Sequence, residues 1–366
     1  MIVKSCYGFS RSWRGGASKT LTSLGLVLWV VCLLPASRPV AGQQPTYSTE
    51  VKVVNVLASV RNKHGEIVRD LTKDDFLLAE DGRPQTIRYF ARESDLPLRV
   101  GLLVDTSLSQ RRVLEQERSA SSTFLDQVLR LNKDQAFVIH FDREVELLQD
   151  FTSSRQKLQS ALALLETPRP ARTAETDSPG SRPGARRGGG GGTLLYDAVY
   201  LASNDMMMKQ PGRKALIVLS DGVDRGSKET LASAVEAALR ADTLVYSILF
   251  KDEQPYGSRG GFGGPGRGGM ARRGGGRGRY PQQARPDGKK VLERVSRQTG
   301  GRLFEVSKKQ PLEQIYHEIE EELRNQYNLG YTPDRPNAGP GYHKITLTTK
   351  EKHLIVQARD GYYAEQ

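Results

Sequence analysis

The chain has 366 residues, 37% of them hydrophobic and 26% charged, which is enough for a sizeable core with accessory structure. Such a composition, with two cysteines, excludes a collagen, a disulfide scaffold and a polytopic membrane protein. The net charge of +12 is localised: residues 1–42 carry +5, residues 167–192 carry +3 and residues 253–286 carry +6, which leaves the rest at −2. The globular part is therefore near neutral, and basicity gives no reason to expect nucleic acid as its partner.

Residues 1–42 read as a secretory signal peptide. Lys4, Arg11, Arg14 and Lys19 form a basic head, residues 21–34 an apolar run, and Val40-Ala41-Gly42 a small-residue cleavage site. Both cysteines, Cys6 and Cys32, fall in this segment, so cleavage leaves a cysteine-free chain with no membrane span. Val31 stands where a lipidation site at Cys32 wants a small residue. Residues 20–36 reach the lower limit for a membrane span, so an uncleaved segment would act as an anchor. In either case the remainder is exported, to a secreted, periplasmic or cell-envelope location.

Residues 43–95 read as a small β-module. Val51, Val53, Val56 and Val60 are apolar, and turns are expected at Lys63-His64-Gly65-Glu66 and Glu80-Asp81-Gly82-Arg83-Pro84. Some 40 residues bury little core, so this module is expected to pack on the domain that begins after it. From residue 98 the pattern changes to buried strands at 98–105, 136–141, 215–220 and 244–250, alternating with helical patterns at 113–131, 154–165, 194–208 and 229–241. Strand and helix repeated in this way predict an α/β domain over 96–325, a Rossmann-like, doubly wound, mostly parallel six-stranded sheet. Residues 145–148 suggest a short edge hairpin. A helix at 289–298, a strand at 302–306 and a helix at 312–325 complete the domain, and strands at 327–331, 343–349 and 353–359 form a C-terminal β-segment, 326–366. Two tracts interrupt the pattern, at about 168–190 and 254–285; their Gly, Arg and Pro content is expected to make them mobile loops.

The chemistry concentrates at three strand-end loops. Asp105-Thr106-Ser107-Leu108-Ser109 places one carboxylate and two hydroxyls at alternate positions past a parallel strand, the edge where open α/β sheets bind ligands. These are hard oxygen donors of the kind Mg²⁺ accepts, with Mn²⁺ or Ca²⁺ as alternatives. The pattern alone arises by chance in about one chain of this size in ten. Thr193, opening a helix after Gly191-Gly192, and Asp221, ending another buried strand, bring two further oxygens to the same edge. A competing reading has Asp105 and Asp221 capping helices while the hydroxyls satisfy loop amides.

In Asp105, Ser107, Ser109, Thr193 and Asp221 the sequence resembles the von Willebrand factor type A domain family, over about residues 98–325. Its metal-ion-dependent adhesion site is built from D-x-S-x-S, a Thr before a helix and an Asp after a later strand. The flanks, with Leu71-Thr-Lys-Asp-Asp-Phe76, Gln326-Tyr327-Asn328-Leu329-Gly330-Tyr331 and Arg359-Asp360-Gly361-Tyr362-Tyr363, resemble a bacterial subgroup, the acidobacterial VWFA-related one. The resemblance implies recognition without turnover. Ser107, Ser109 and Thr193 would contact the ion, Asp105 and Asp221 would act largely through water, and a protein partner would supply a carboxylate.

Other features carry less. His64, His140, His317, His343 and His353 show no ligand spacing, and no phosphate-binding loop occurs. Glu318, Glu320, Glu321 and Glu322 read as a solvated helix face. No nucleophile with a base is visible, so an enzyme is not expected. The expected function is an exported adhesion-type binding protein; the alternative is a polyanion or nucleic-acid binder acting through the Arg/Gly tract with Phe262 and Tyr280.

Overall fold

The computed structural model describes residues 53–92, 96–167, 192–250, 287–334 and 339–364; the expected signal peptide and both low-complexity tracts lie outside the described residues. The chain opens with strands β1 (Val54–Arg61), β2 (Phe76–Glu80), β3 (Arg83–Gln85), β4 (Ile87–Arg92) and β5 (Leu98–Asp105). Helix α1 (Leu114–Val128), strands β6 (Gln135–Phe141) and β7 (Val145–Thr152), and helices α2 (Arg155–Ala163) and α3 (Leu195–Leu201) follow. Then come β8 (Arg213–Ser220), α4 (Leu231–Arg240), β9 (Thr243–Leu249), α5 (Gly288–Thr299), β10 (Leu303–Glu305) and α6 (Leu312–Arg324). The chain closes with β11 (Tyr327–Tyr331), β12 (Gly341–Thr349), β13 (Ile355–Ala358) and β14 (Gly361–Ala364).

The central sheet has six strands in the order β10-β9-β8-β5-β6-β7. All are parallel except β7, an antiparallel edge strand that extends the short hairpin expected from sequence. Side chains of a strand alternate between faces, so an all-apolar strand must be covered on both. Along β5, Leu98, Val100, Leu102 and Val104 enter one core with residues of α1, α2 and α6, whereas Leu103 enters a second with residues of α3, α4 and α5. This is the doubly wound α/β arrangement the apolar runs predict. Gly101 is required where the Phe137 and Leu216 side chains of the two neighbouring strands close over β5: a Cβ there would lie 2.3 Å from the Phe137 ring and 2.5 Å from Leu216.

Two elements depart from the periodicity. The helix expected over 194–208 is α3 followed by a π-helical turn, Ala202–Met207, and the wider turn lets Ala202, Ser203 and Met207 all face inward. Glu322 does not lie on a solvated face. It falls three residues after Ile319 on the buried stripe of α6, is 1% exposed, and is ion-paired to Arg61 of β1 and, at 3.3 Å, to Arg302. Burial pushes its carboxyl up, and the two guanidinium groups oppose the rise.

The flanking segments combine in two four-stranded sheets, β13-β1-β11-β4 and β14-β12-β2-β3. In the first, β1 lies between β11 and β13; in the second, β2 lies between β12 and β3. Val56, Val60, Phe76, Leu78, Leu329 and Ile345 share one core, to which both chain ends contribute. Neither end could bury its apolar face alone. Among the described residues no helix is long and apolar enough to cross a membrane.

The packing at Gly101 gives a direct test. Gly101→Ala inserts a methyl group that Phe137 and Leu216 cannot both avoid, so stability should fall by about 1–3 kcal/mol. Urea unfolding followed by circular dichroism should show a lower midpoint at unchanged slope.

Candidate metal centre

Parallel strands end at one edge, so the loops after β5, β6 and β8 meet there. Asp105, the last residue of β5, is 0% exposed. Its Oδ1 accepts a hydrogen bond from the Ser107 N–H at 2.9 Å and its Oδ2 one from the Ser220 hydroxyl at 2.7 Å. Ser220 ends β8, the neighbour of β5, so a single carboxylate ties two strand ends together. The Ser107 and Ser109 hydroxyls lie 2.9 Å apart, the first buried and the second exposed.

Asp221 follows Ser220 and is half-buried; its Oδ1 accepts from the Val223 N–H at 2.9 Å. The loop then turns at Gly222, whose φ of 77° favours glycine and whose Cα packs against the Gly288 carbonyl, where a Cβ would come within 2.2 Å. Thr193 is 5% exposed and is fixed through its backbone. Its carbonyl accepts from the Arg225 N–H at 2.9 Å, and the next N–H, that of Leu194, donates to the Asp142 carbonyl at 2.9 Å. The structure thus joins Asp105, Ser107 and Ser109 directly by hydrogen bonds, and holds Thr193 to the loop that carries Asp221. No hydrogen bond among the described residues links Thr193 or Asp221 to the two serines.

Electrostatics couple the parts. Burial pushes the Asp105 carboxyl up to about 6, against the pull of the Ser220 and Ser107 hydrogen bonds, and the charge of Asp221 adds to the rise. Helix capping does not account for this set. Helices α1 and α3 begin at Val113 and Leu194 without a side-chain cap, and the first amides of α3 donate to Asp224 and Ser227 instead. The loop amides account for part of it, since Asp105 and Asp221 each accept one.

Sequence reasoning missed two supports. Ser220 was legible only as the neighbour of Asp221; its bond to Asp105 requires β5 and β8 to be adjacent. His140 has no ligand spacing, yet its Nδ1 lies 3.2 Å from the Thr106 hydroxyl and its Nε2 3.0 Å from Glu146 Oε2. Thr106 is 0% exposed, so this hydroxyl, imidazole and carboxylate chain braces the Asp105–Ser109 loop from behind.

Residues 100–223, a span that includes all five candidate oxygens, match the model of the von Willebrand factor type A domain. The chain carries a von Willebrand factor type A domain. No curated protein matches it. Similar solved structures include the conserved hypothetical protein BatB from Bacteroides thetaiotaomicron, 18% identical, covering 62% of this chain and 100% of that one at a TM-score of 0.40. The vWF domain of the type V pili tip protein Mfa5 from Porphyromonas gingivalis is 18% identical over 35% of this chain and 39% of that one, with a TM-score of 0.27. Proximal thread matrix protein 1 from the mussel byssus, solved with a zinc-occupied MIDAS motif, is 12% identical over 64% of this chain and 50% of that one, with a TM-score of 0.40.

The donor set of this type A domain fits a divalent cation: two carboxylates and three hydroxyls are all hard oxygens, and the two carboxylates repel one another. The Thr193 hydroxyl, for which no hydrogen bond is found among the described residues, is left free to serve as one of these donors.

A second group of side chains has metal-ligand character. Atoms of Glu80, Asp81 and His343 lie within 4.8 Å of one another, in the flanking β-sheets. Their lone pairs are largely engaged. Asp81 Oδ2 is 2.9 Å from His343 Nδ1, Asp81 Oδ1 accepts from the Lys344 N–H at 2.9 Å, Tyr331 donates to Glu80, and His343 Nε2 lies 3.2 Å from the Gly339 carbonyl. Both ring nitrogens thus face acceptors, an arrangement that suits the imidazolium form.

This arrangement makes stability depend on pH. The Asp81 hydrogen bond raises the His343 pKa above its ordinary 6.5, and the same bond lowers the Asp81 pKa below its ordinary 3.8. The histidine term is complete below about pH 6.5 and is lost as pH rises through the raised folded value. The aspartate term is complete above about pH 4 and is lost as pH falls through the lowered one. The pair should therefore stabilise the fold most between about pH 4 and 6.5. Denaturant midpoints measured from pH 4 to 9 should decline across neutral pH in the wild type and decline less in His343→Gln.

Proposed function

We propose that this protein is an exported binding protein whose type A domain recognises a protein partner through a divalent cation. Asp105, Ser107, Ser109, Thr193 and Asp221 would hold the ion, Mg²⁺ first, with Mn²⁺ or Ca²⁺ as alternatives. The observation that carries the reading is the arrangement at the sheet edge. A fully buried Asp105 carboxyl is raised by burial and by Asp221, and lies in contact with a serine pair that leads to the surface. Like charges within electrostatic reach of one another are relieved by a cation.

The residues that would hold a divalent ion would leave it to supply a Lewis-acidic centre for a carboxylate oxygen from outside the protein. The chain's own residues prepare that event. Ser220 and the Ser107 amide fix the Asp105 carboxylate, so it does not reorganise when a ligand arrives. The exposure of Ser109 and the partial exposure of Asp221 leave the outer side of the loop cluster open to a partner. That partner would present an acidic side chain, and rejection of basic or neutral surfaces would follow from the same requirement. No side chain in this arrangement has the position of an accessible nucleophile next to a base, which favours binding over turnover.

Thermal unfolding in the presence and absence of ions tests the proposal. Mg²⁺ or Mn²⁺ should raise the melting temperature saturably, by the equivalent of about 2.7 kcal/mol at a hundredfold excess over Kd. Asp105→Asn, chosen because alanine would strand the buried Ser220 hydroxyl, should fold and lose the response. Thr193→Ala should weaken it. A wild-type protein unresponsive to all three ions at millimolar concentration would defeat the metal-site reading.

A further inference from the structure

Helix α1 follows directly on the Asp105–Ser109 loop and buries Leu114, Ala120, Phe124, Leu125 and Val128. Glu117 falls on the same buried stripe, three residues after Leu114 and seven before Phe124, at a position where the helical pattern asks for an apolar side chain. It is 0% exposed, and neither carboxylate oxygen has a hydrogen-bond partner among the described residues. Buried carboxyl groups are ordinarily paired with a cation or hydrogen-bonded. Glu117 has neither. The charge that acts on it is that of Asp105, of the same sign; burial first, and Asp105 second, push its carboxyl well above the usual range. On its other side it lies within electrostatic reach of Tyr316 of α6, whose hydroxyl is already engaged with Ser121 at 2.8 Å.

A leucine at this position would continue the stripe and remove a buried carboxyl that lies within electrostatic reach of Asp105. The acid is thus unfavourable to the cation-free fold, and local packing gives it no compensation. A positive charge arriving at the Asp105 loop would supply one. Resting on the metal-site reading above, we infer that Glu117 is a charge-supplying carboxyl behind the metal site, which strengthens binding of a divalent cation at the Asp105 loop at the expense of the stability of the cation-free protein. It is a positioning and charge-balancing residue and not a ligand: Asp105 stands at the strand end, Glu117 within the helix packed behind it. The feature belongs to this chain's α1 stripe and lies outside the five-residue pattern of the loops.

The test uses the full chain with Mg²⁺ and Mn²⁺ as probes, comparing wild type, Glu117→Gln and Glu117→Leu. Each protein is melted in EDTA and titrated calorimetrically with each ion. The inference expects opposite signs: the variants melt at or above the wild-type temperature in EDTA, yet bind the ions on the order of tenfold or more weakly. Glu117→Asp, which retains the charge, should recover part of the affinity. A residue with a merely structural task would instead lose stability and affinity together, and that result overturns the inference. Unchanged affinity in both variants, with the wild type binding, overturns it while leaving the metal site in place. Absence of ion binding by the wild type removes the metal site itself, and the inference with it. Should Glu117→Leu fail to fold, Glu117→Gln, with nearly the same volume, carries the comparison.

Discussion

The top of this molecule is arranged around the burial of one carboxylate. Asp105 ends the central strand of a sheet covered on both faces, so its side chain has no route to bulk water and must find its hydrogen bonds inside. It finds them in the Ser107 amide and the Ser220 hydroxyl, one from its own loop and one from the adjacent strand. Those bonds fix the start of the Ser107–Ser109 loop and hold the end of β8, from which Asp221 projects. The geometry of the proposed metal centre therefore follows from satisfying a group that the sheet would otherwise leave stranded.

The buried charges of the fold are unevenly compensated. Arg61 and Arg302 with Glu322 and Glu318 form a balanced ion-pair group, far along the chain from one another but packed together. Asp105 and Glu117 have no ion pair among the described residues, and the charges that act on them are of their own sign. A fold that pairs its buried acids in one place and leaves a buried acid without a cation in another supports the proposal of a positive ligand at the second. Here the argument for the proposed cation site comes from charge and burial.

The flanking sheets also bear on function. Strand β1 is paired on both sides by strands from the end of the chain, and its Arg61 reaches the last helix of the α/β domain. The domain is thereby gripped by structure built from the described segments that precede and follow it. Its proposed binding edge is formed by the C-terminal ends of the parallel strands and the loops that follow them.

By itself the sequence determined the strands and helices of the α/β domain, because buried parallel strands need apolar runs and their covering helices need a 3.6-residue stripe. Both are local patterns. The order of Asp105, Ser107, Ser109, Thr193 and Asp221 was equally legible, since each lies directly beside an element whose type was clear. Only the tertiary structure decided the rest, because the rest depends on contacts between residues distant in sequence. Which strands neighbour one another made Ser220 a partner of Asp105. The pairing of β1 with β11 and β13 joined two segments that read separately as small β-units. The face of α6 turned Glu322 from an expected surface acid into a buried ion pair, and the packing of α1 left Glu117 inside without one. Periodicity tells which residues share a face; whether a charged residue on that face meets an opposite charge is set by what the fold brings against it.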